Sequence, residues 1–168
     1  RMTTPPPVWE PLIGSLLEAV CLVEPLTLHV VAANEAAAAL FGQPVSALVG
    51  RPVIELSATP EDECFWEDMA AGVGTAEGPQ IHSDSFVRHA DGRMIPVERR
   101  VNRIWMRPGQ AIYVLGLRDQ SAQRQAEDEL EKLVAELRAT LESTAEGILV
   151  TDLHGAIRGC NQLFAQLW

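Results

Sequence analysis

The chain has 168 residues, is 47% hydrophobic and carries a net charge of -10. That length suits one domain of ordinary size with appendages, and the apolar share excludes wholesale disorder. The acidic balance, with no run of Lys or Arg, argues against nucleic acid as a partner.

Residues 1–13 read as a flexible lead-in, with Thr3 to Pro7 as its Pro-rich part. Ser15 to Ala19 reads as a short helix. Two β-branched runs follow, Val20 to Glu24 and Leu28 to Ala33, separated by Pro25-Leu26-Thr27; the pattern predicts strand, turn, strand. Asn34 stands before Glu35 to Phe41, a segment with four alanines. Asn is a favoured N-cap because its side-chain oxygen accepts from the unpaired amides of the first turn. Gly42 sits where a left-handed C′ residue belongs. A second small helix fits Pro44 to Val49. A third opens at Thr59, with Pro60 at its first position and Glu61 and Asp62 at its positive end. It is expected to run to about Val73.

The next part reads as β. Strands are expected over 80–89, 94–106 and 110–119, with Asp91-Gly92 as a tight turn. Strands with short helices gathered on one side give an α+β layer architecture. From Ser121 to about Glu142 no Gly or Pro interrupts, and the composition is that of a long helix. Its i,i+4 pairs include Arg124 with Asp128 and Arg138 with Glu142. Leu130, Leu133, Val134, Leu137 and Leu141 form an apolar stripe in which two heptad registers compete. This stripe predicts a partner helix and a homodimer.

The sequence also repeats itself. SLLEAVCLVEPLTLHVVAANEAAAALFG near the start is echoed by LESTAEGILVTDLHGAIRGCNQLFAQLW at the end, with Asn34 aligned to Asn161. The second copy reaches seven residues past its Asn and is expected to be the start of a second domain, over 144–168. The first domain is expected over 14–120 and the connecting helix over 121–143.

Several segments together resemble the PAS family of sensory domains. Asn34 and the helix through Phe41-Gly42 resemble its N-x-x-x-x-x-x-x-G segment. Ser46 to Arg51 resembles its "-eeLiGr-" turn. Ala90 to Arg93 followed by Pro96-Val97-Glu98 resembles its "kDGr…PVe" hairpin. Arg118 to Ser121, followed by Arg124, Ala126, Glu127, Glu129 and Leu130, resembles its "rDiTerkraEeeL" exit, with Ser121 and Gln120 in place of the usual Thr and Ile. The resemblance implies a five-stranded antiparallel sheet with small helices on one face, plus the long C-terminal helix. It implies sensing, dimerisation and relay to an output domain in cis, typically a histidine kinase or an enzyme of cyclic di-GMP turnover. It implies no catalysis in the domain itself. It also implies that Asp119, aided by the Ser121 hydroxyl, couples sheet to helix, although a plain N-cap accounts for that acid equally well.

Cofactors are not expected. Val53 stands where photosensing relatives carry a flavin-reactive Cys, and Cys64 reads as a buried thiol. The helix from Thr59 to Val73, where haem-binding relatives place an axial ligand, has no His. Cys21, Cys64 and Cys160 lie far apart without metal-ligand spacing. No stretch of about 20 uncharged apolar residues suggests membrane contact, and free thiols fit a cytoplasmic setting. No catalytic motif is evident.

Arg99 stands out. Strand alternation places it on one face with Val97 and Val101, and a buried Arg needs a partner. One reading is a small anionic ligand in a pocket lined by Val97, Arg99, Val101 and Tyr113. The other is an internal acid, Asp84 or Glu98, or a bulge that turns the side chain outward.

Overall fold

The computed structural model describes residues 9–72, 81–143, 149–151, 153–160 and 162–167. The chain divides into two compact units between Ser121 and Ala122.

In the first unit, α1 (Trp9–Gly14) precedes β1 (Ala19–Val23) and β2 (Val30–Ala33). Then come α2 (Glu35–Phe41), α3 (Val45–Leu48), a turn of 3-10 helix (Val53–Leu56) and α4 (Pro60–Ala70). β3 (Ile81–Arg88), β4 (Met94–Arg107) and β5 (Gln110–Asp119) complete a five-stranded sheet in the order β2-β1-β5-β4-β3. Every pairing is antiparallel.

Burial follows from this order. β1 lies in mid-sheet and all five of its residues are buried. Cys21 and Val23 face a core completed by Phe41, Leu48, Val53 and Trp66. Val20 and Leu22 face the other way and pack with Ile13 of α1, Ala32 and Ile112. Strands covered on both faces read as continuous apolar runs. The edge strand β3 shows an exposed residue at every second position. The opposite edge is closed by the segment after α3. Val30 donates to the Arg51 carbonyl (2.9 Å), and Gly50 donates to the Val30 carbonyl (2.7 Å). That pairing satisfies backbone groups that an open edge would expose.

Three expectations are corrected here. The helix expected at Ser15 to Ala19 lies earlier, at Trp9–Gly14, so the lead-in is helical from Trp9. The reason is tertiary: buried Ile13 anchors it, and its carbonyl accepts from Asn34 Nδ2 (2.9 Å). Consequently the helices do not all lie on one face, because α1 packs against the opposite side of the sheet from the Trp66 core. The second strand starts at Val30 rather than Leu28, because Leu28 has φ 54, a left-handed conformation that strand backbone does not permit. The expected Pro-rich lead-in from Thr3 to Pro7 and the end of the third helix at Val73 lie outside the described residues.

Asn34 is the hub of the N-terminal half. Its Oδ1 accepts from the amides of Ala37 (2.9 Å) and Val20 (3.0 Å). Its Nδ2 donates to the carbonyls of Ile13 and Glu18 (2.8 Å). One side chain therefore caps α2, joins it to β1 and ties down the chain after α1. At the other end of α2, Gly42 adopts φ 67. A Cβ there would also run into the His89 ring, so both the left-handed backbone and the neighbouring side chain favour Gly. Ala90 donates to the Phe41 carbonyl (2.9 Å), which clamps the β3–β4 hairpin to this helix end.

α5 (Ser121–Ser143), which enters the second unit at Ala122, has no buried residue. It is followed by β6 (Leu149–Thr151), antiparallel to β7 (Ile157–Cys160), and by α6 (Gln162–Leu167). This order repeats β1, β2 and α2, as the internal repeat predicts. Asn161 lies outside the described residues.

Candidate functional site

Two places hold the residues singled out for ligand binding and for relay. The first is buried. Arg99 lies on β4 between Val97 and Val101, and its side chain is 7% exposed. It does face the interior, but its partner is neither Asp84 nor Glu98. Arg99 Nη1 lies 2.8 Å from Oδ1 of Asp62, whose side chain is 8% exposed. The alternation that turns Arg99 inward turns Asp84 and Glu98 outward. Glu98 pairs directly across the ladder with Asp84, and Arg99 with Ser83.

Asp62 arrives from α4. Thr59 caps that helix by accepting from the Asp62 amide (3.3 Å), and the first turn lies over the sheet. Ser85 donates its hydroxyl to Asp62 Oδ2. The Phe65 ring lies 4.9 Å from the guanidinium carbon, within cation–π range. Burial pulls the Arg99 pKa below its ordinary value, and the Asp62 charge opposes that shift.

The contact is an ion pair off the N–H axis rather than a linear hydrogen bond. Among the described residues, Arg99 Nε, Arg99 Nη1 and the buried Ser57 Oγ have no hydrogen-bond acceptor or donor opposite them. Arg99 and Ser57 line a cavity of about 20 Å³, room for about one water. The other candidate lining residues are filled core. Val97 and Val101 are buried, and Tyr113 accepts from Arg103 Nη2 (3.0 Å) while its ring lies 6.5 Å from that of Trp66.

The second place is the β5–α5 junction. Asp119 ends β5, and its Oδ1 accepts from the Ser121 amide (2.8 Å). Gln120 donates its amide to the Pro96 carbonyl (2.8 Å) and its Nε2 to Asp84 Oδ1 (3.4 Å). Gln120 and Ser121, the residues that lead into the helix, are thus held by β3, β4 and β5 together. Beside it a line of charges crosses the sheet. His82 on β3 meets Glu98 on β4, Glu98 lies 3.6 Å from Arg118 on β5, and Arg118 lies 3.9 Å from Glu18 before β1. The His82 hydrogen bond, helped by nearby positive charge, holds the Glu98 carboxyl below its usual range. This line was not legible beforehand, because it depends on cross-strand register.

These two places, an antiparallel sheet under short helices and an acid at the exit into a long helix, agree with the family comparisons. A family model described as the PAS fold matches residues 10–119. The chain belongs to the PAS family. A second model, described as a PAS domain, matches residues 135–168, the stretch that holds most of the second copy of the internal repeat.

Solved PAS structures share the fold at low identity. The PAS domain of an HTR-like protein from Haloarcula marismortui is 18% identical, with a TM-score of 0.54 over 67% of this chain and 94% of that one. The PAS domain of BvgS from Bordetella pertussis is 17% identical, with a TM-score of 0.58 over 77% and 96%. A domain of a sensory box sensor histidine kinase/response regulator from Geobacter sulfurreducens is 16% identical, with a TM-score of 0.51 over 65% and 90%. No curated protein matches the chain.

Other residues are placed as follows. Val53 is buried in the 3-10 turn. Cys64, expected to be buried, is exposed. On α4 the buried positions are Asp62 and Trp66, one turn apart, and Cys64 lies two residues from each on the far side. Cys21 is buried, which pushes its thiol up to about 12, and Cys160 is exposed. Among the described residues no His/Cys/Asp/Glu group could hold a metal ion, and no helix is long and apolar enough to cross a membrane. On α5, Leu130 (62% exposed), Leu133 (57%), Val134 (40%) and Leu137 (64%) are open, and Leu141 is half-buried.

Proposed function

We propose that this PAS chain is a non-catalytic sensory and signal-transduction module of the cytoplasm. It dimerises through α5 and relays a signal along that helix to an output domain in cis, a histidine kinase or an enzyme of cyclic di-GMP turnover. The observation that carries the proposal is the junction. The Asp119–Ser121 and Gln120–Pro96 hydrogen bonds tie Gln120 and Ser121, the entry to α5, to β5 and β4, which gives a change in the sheet a route to the start of the helix. The exposed leucine stripe gives the helix an apolar seam for a second copy, in which each buried leucine is worth about 1.5–3 kcal/mol. Leu133 and Val134 offer adjacent seam positions, so a small rotation supplies two states for the signal to choose between. A kinase output is the form in which the similar Geobacter domain occurs.

The test is sedimentation of the whole chain beside a Leu130→Glu/Leu137→Glu variant. The wild type should be dimeric at tens of micromolar and the variant monomeric. A monomeric wild type, or a variant that stays fully dimeric, overturns dimerisation through α5.

The alternative is a receptor for a small anionic metabolite, and the unpaired donors of Arg99 favour it. It stands second because Asp62 already supplies the counter-charge and the adjoining cavity has room for about one water. Mass spectrometry of molecules released on denaturation separates the two readings.

A further inference from the structure

A groove of about 710 Å³ lies at the end of the sheet beside the junction and shares only Leu117 with the Arg99 cavity. Its apolar floor includes Ala36 and Ala39 of α2, Leu40 and Ile95. The two alanines stand one helical turn apart, and their short side chains leave the depth. On its lip stands Leu17, which is 100% exposed. The rim carries both signs of charge, Glu18 and Asp119 beside Arg93 and Arg118.

We infer that this groove receives Leu17 of a second copy of the chain, in a two-fold contact made by the PAS unit itself. A two-fold interface must be self-complementary, so that residue i meets j and j meets i. This surface has both halves of such a contact. Leu17 is a knob beside a small-residue hole, and acids and arginines share one rim so that each can face its opposite across the axis. The inference rests on the pairing of α5 proposed above, with the two helices parallel. Ser121 follows Asp119 by two residues, and Leu130 lies nine residues further, about 13–14 Å along the helix. Parallel helices pair at about 8–10 Å, and Asp119, which lines the groove, stands only two residues before α5 in the chain. The dimer therefore reaches from the helix into the sensory unit, and the groove is the place where a change in that unit is passed across the axis.

The test uses the whole chain with Cys64→Ser and Cys160→Ser, since both thiols are exposed. Leu17→Cys and Ala39→Cys are made in separate chains, mixed and mildly oxidised. Both positions are exposed, so neither change disturbs the core. The mixture should give a disulfide-linked 17–39 dimer on a non-reducing gel, at least about tenfold above a mixture of Leu17→Cys with Glu67→Cys. Sedimentation is run on the same samples. A dimer by sedimentation with no excess 17–39 product overturns the groove contact and leaves helix pairing intact. A monomer with no product overturns both. Leu17→Glu should raise the dissociation constant at least about tenfold; an unchanged constant counts against the groove contact.

Discussion

Removing the charge of Arg99 should be among the most damaging single changes in the first unit. In Arg99→Met the apolar stem persists, but the Asp62 carboxylate, 8% exposed, is left with the Ser85 hydroxyl as its remaining side-chain partner. Breaking a buried pair from one side costs about 3–5 kcal/mol, because an uncompensated charge stays behind. Against a total stability of about 5–15 kcal/mol for an ordinary domain, that is a large share. It corresponds to a fall in Tm on the order of 10–25 °C for a unit of this size. Asp62→Leu alone should cost a similar amount, since it strands the guanidinium. The double variant Asp62→Leu/Arg99→Met removes both charges together and should lie within about 2 kcal/mol of the wild type. Urea unfolding followed by far-UV circular dichroism gives the three values, with a constant slope confirming that the denatured state is unchanged. The reasoning fails if each single variant costs under about 1 kcal/mol and the two effects simply add, because additivity means that the side chains do not sense each other.

Asn34→Ala should cost about 3 kcal/mol or more, the sum of a lost helix cap and buried groups left unpaired. Asn34→Asp should keep the cap but set a carboxylate against the Ile13 and Glu18 carbonyls, so thermal melts should show both variants destabilised. If Asn34→Ala melts within a degree or two of wild type, the hub has been overrated. Asp91 offers a pH test. The Arg93 amide and then the Arg93 side chain donate to it, which lowers its carboxyl below the ordinary 3.8. The contribution of a depressed carboxyl is complete above its unfolded value and is lost as pH falls through the folded one. The wild type should therefore exceed Asp91→Asn in stability above pH 3.8, with the gap closing in more acid solution. A carboxyl resonance titrating at or above 3.8 would contradict this.

Local chemistry accounts for much that was legible in advance. Asn34 before an alanine-rich run, Thr59-Pro60 before two acids, Gly42 past a helix end and Asp91-Gly92 between strands each act within a few residues. Each of these elements therefore formed where its own sequence places it. Period-two alternation likewise turned Arg99 inward without knowledge of what it would meet. The family resemblance supplied the closure of the five strands into one antiparallel sheet and the role expected of Asp119.

What tertiary structure decided were contacts made across long stretches of chain. Asp62 is 37 positions before Arg99 and belongs to a helix whose tilt over the sheet no local pattern encodes. The line from His82 through Glu98 and Arg118 to Glu18 exists only because four strands stand in one register. α1 forms at Trp9–Gly14 because Ile13 finds a pocket and Asn34 finds its carbonyl, while Ser15 to Glu18, with the better local pattern, form a turn and bends that lead into β1. A short helix gains too little from its own hydrogen bonds to choose its position. That choice falls to burial, and burial is a property of what the rest of the chain brings to the same place.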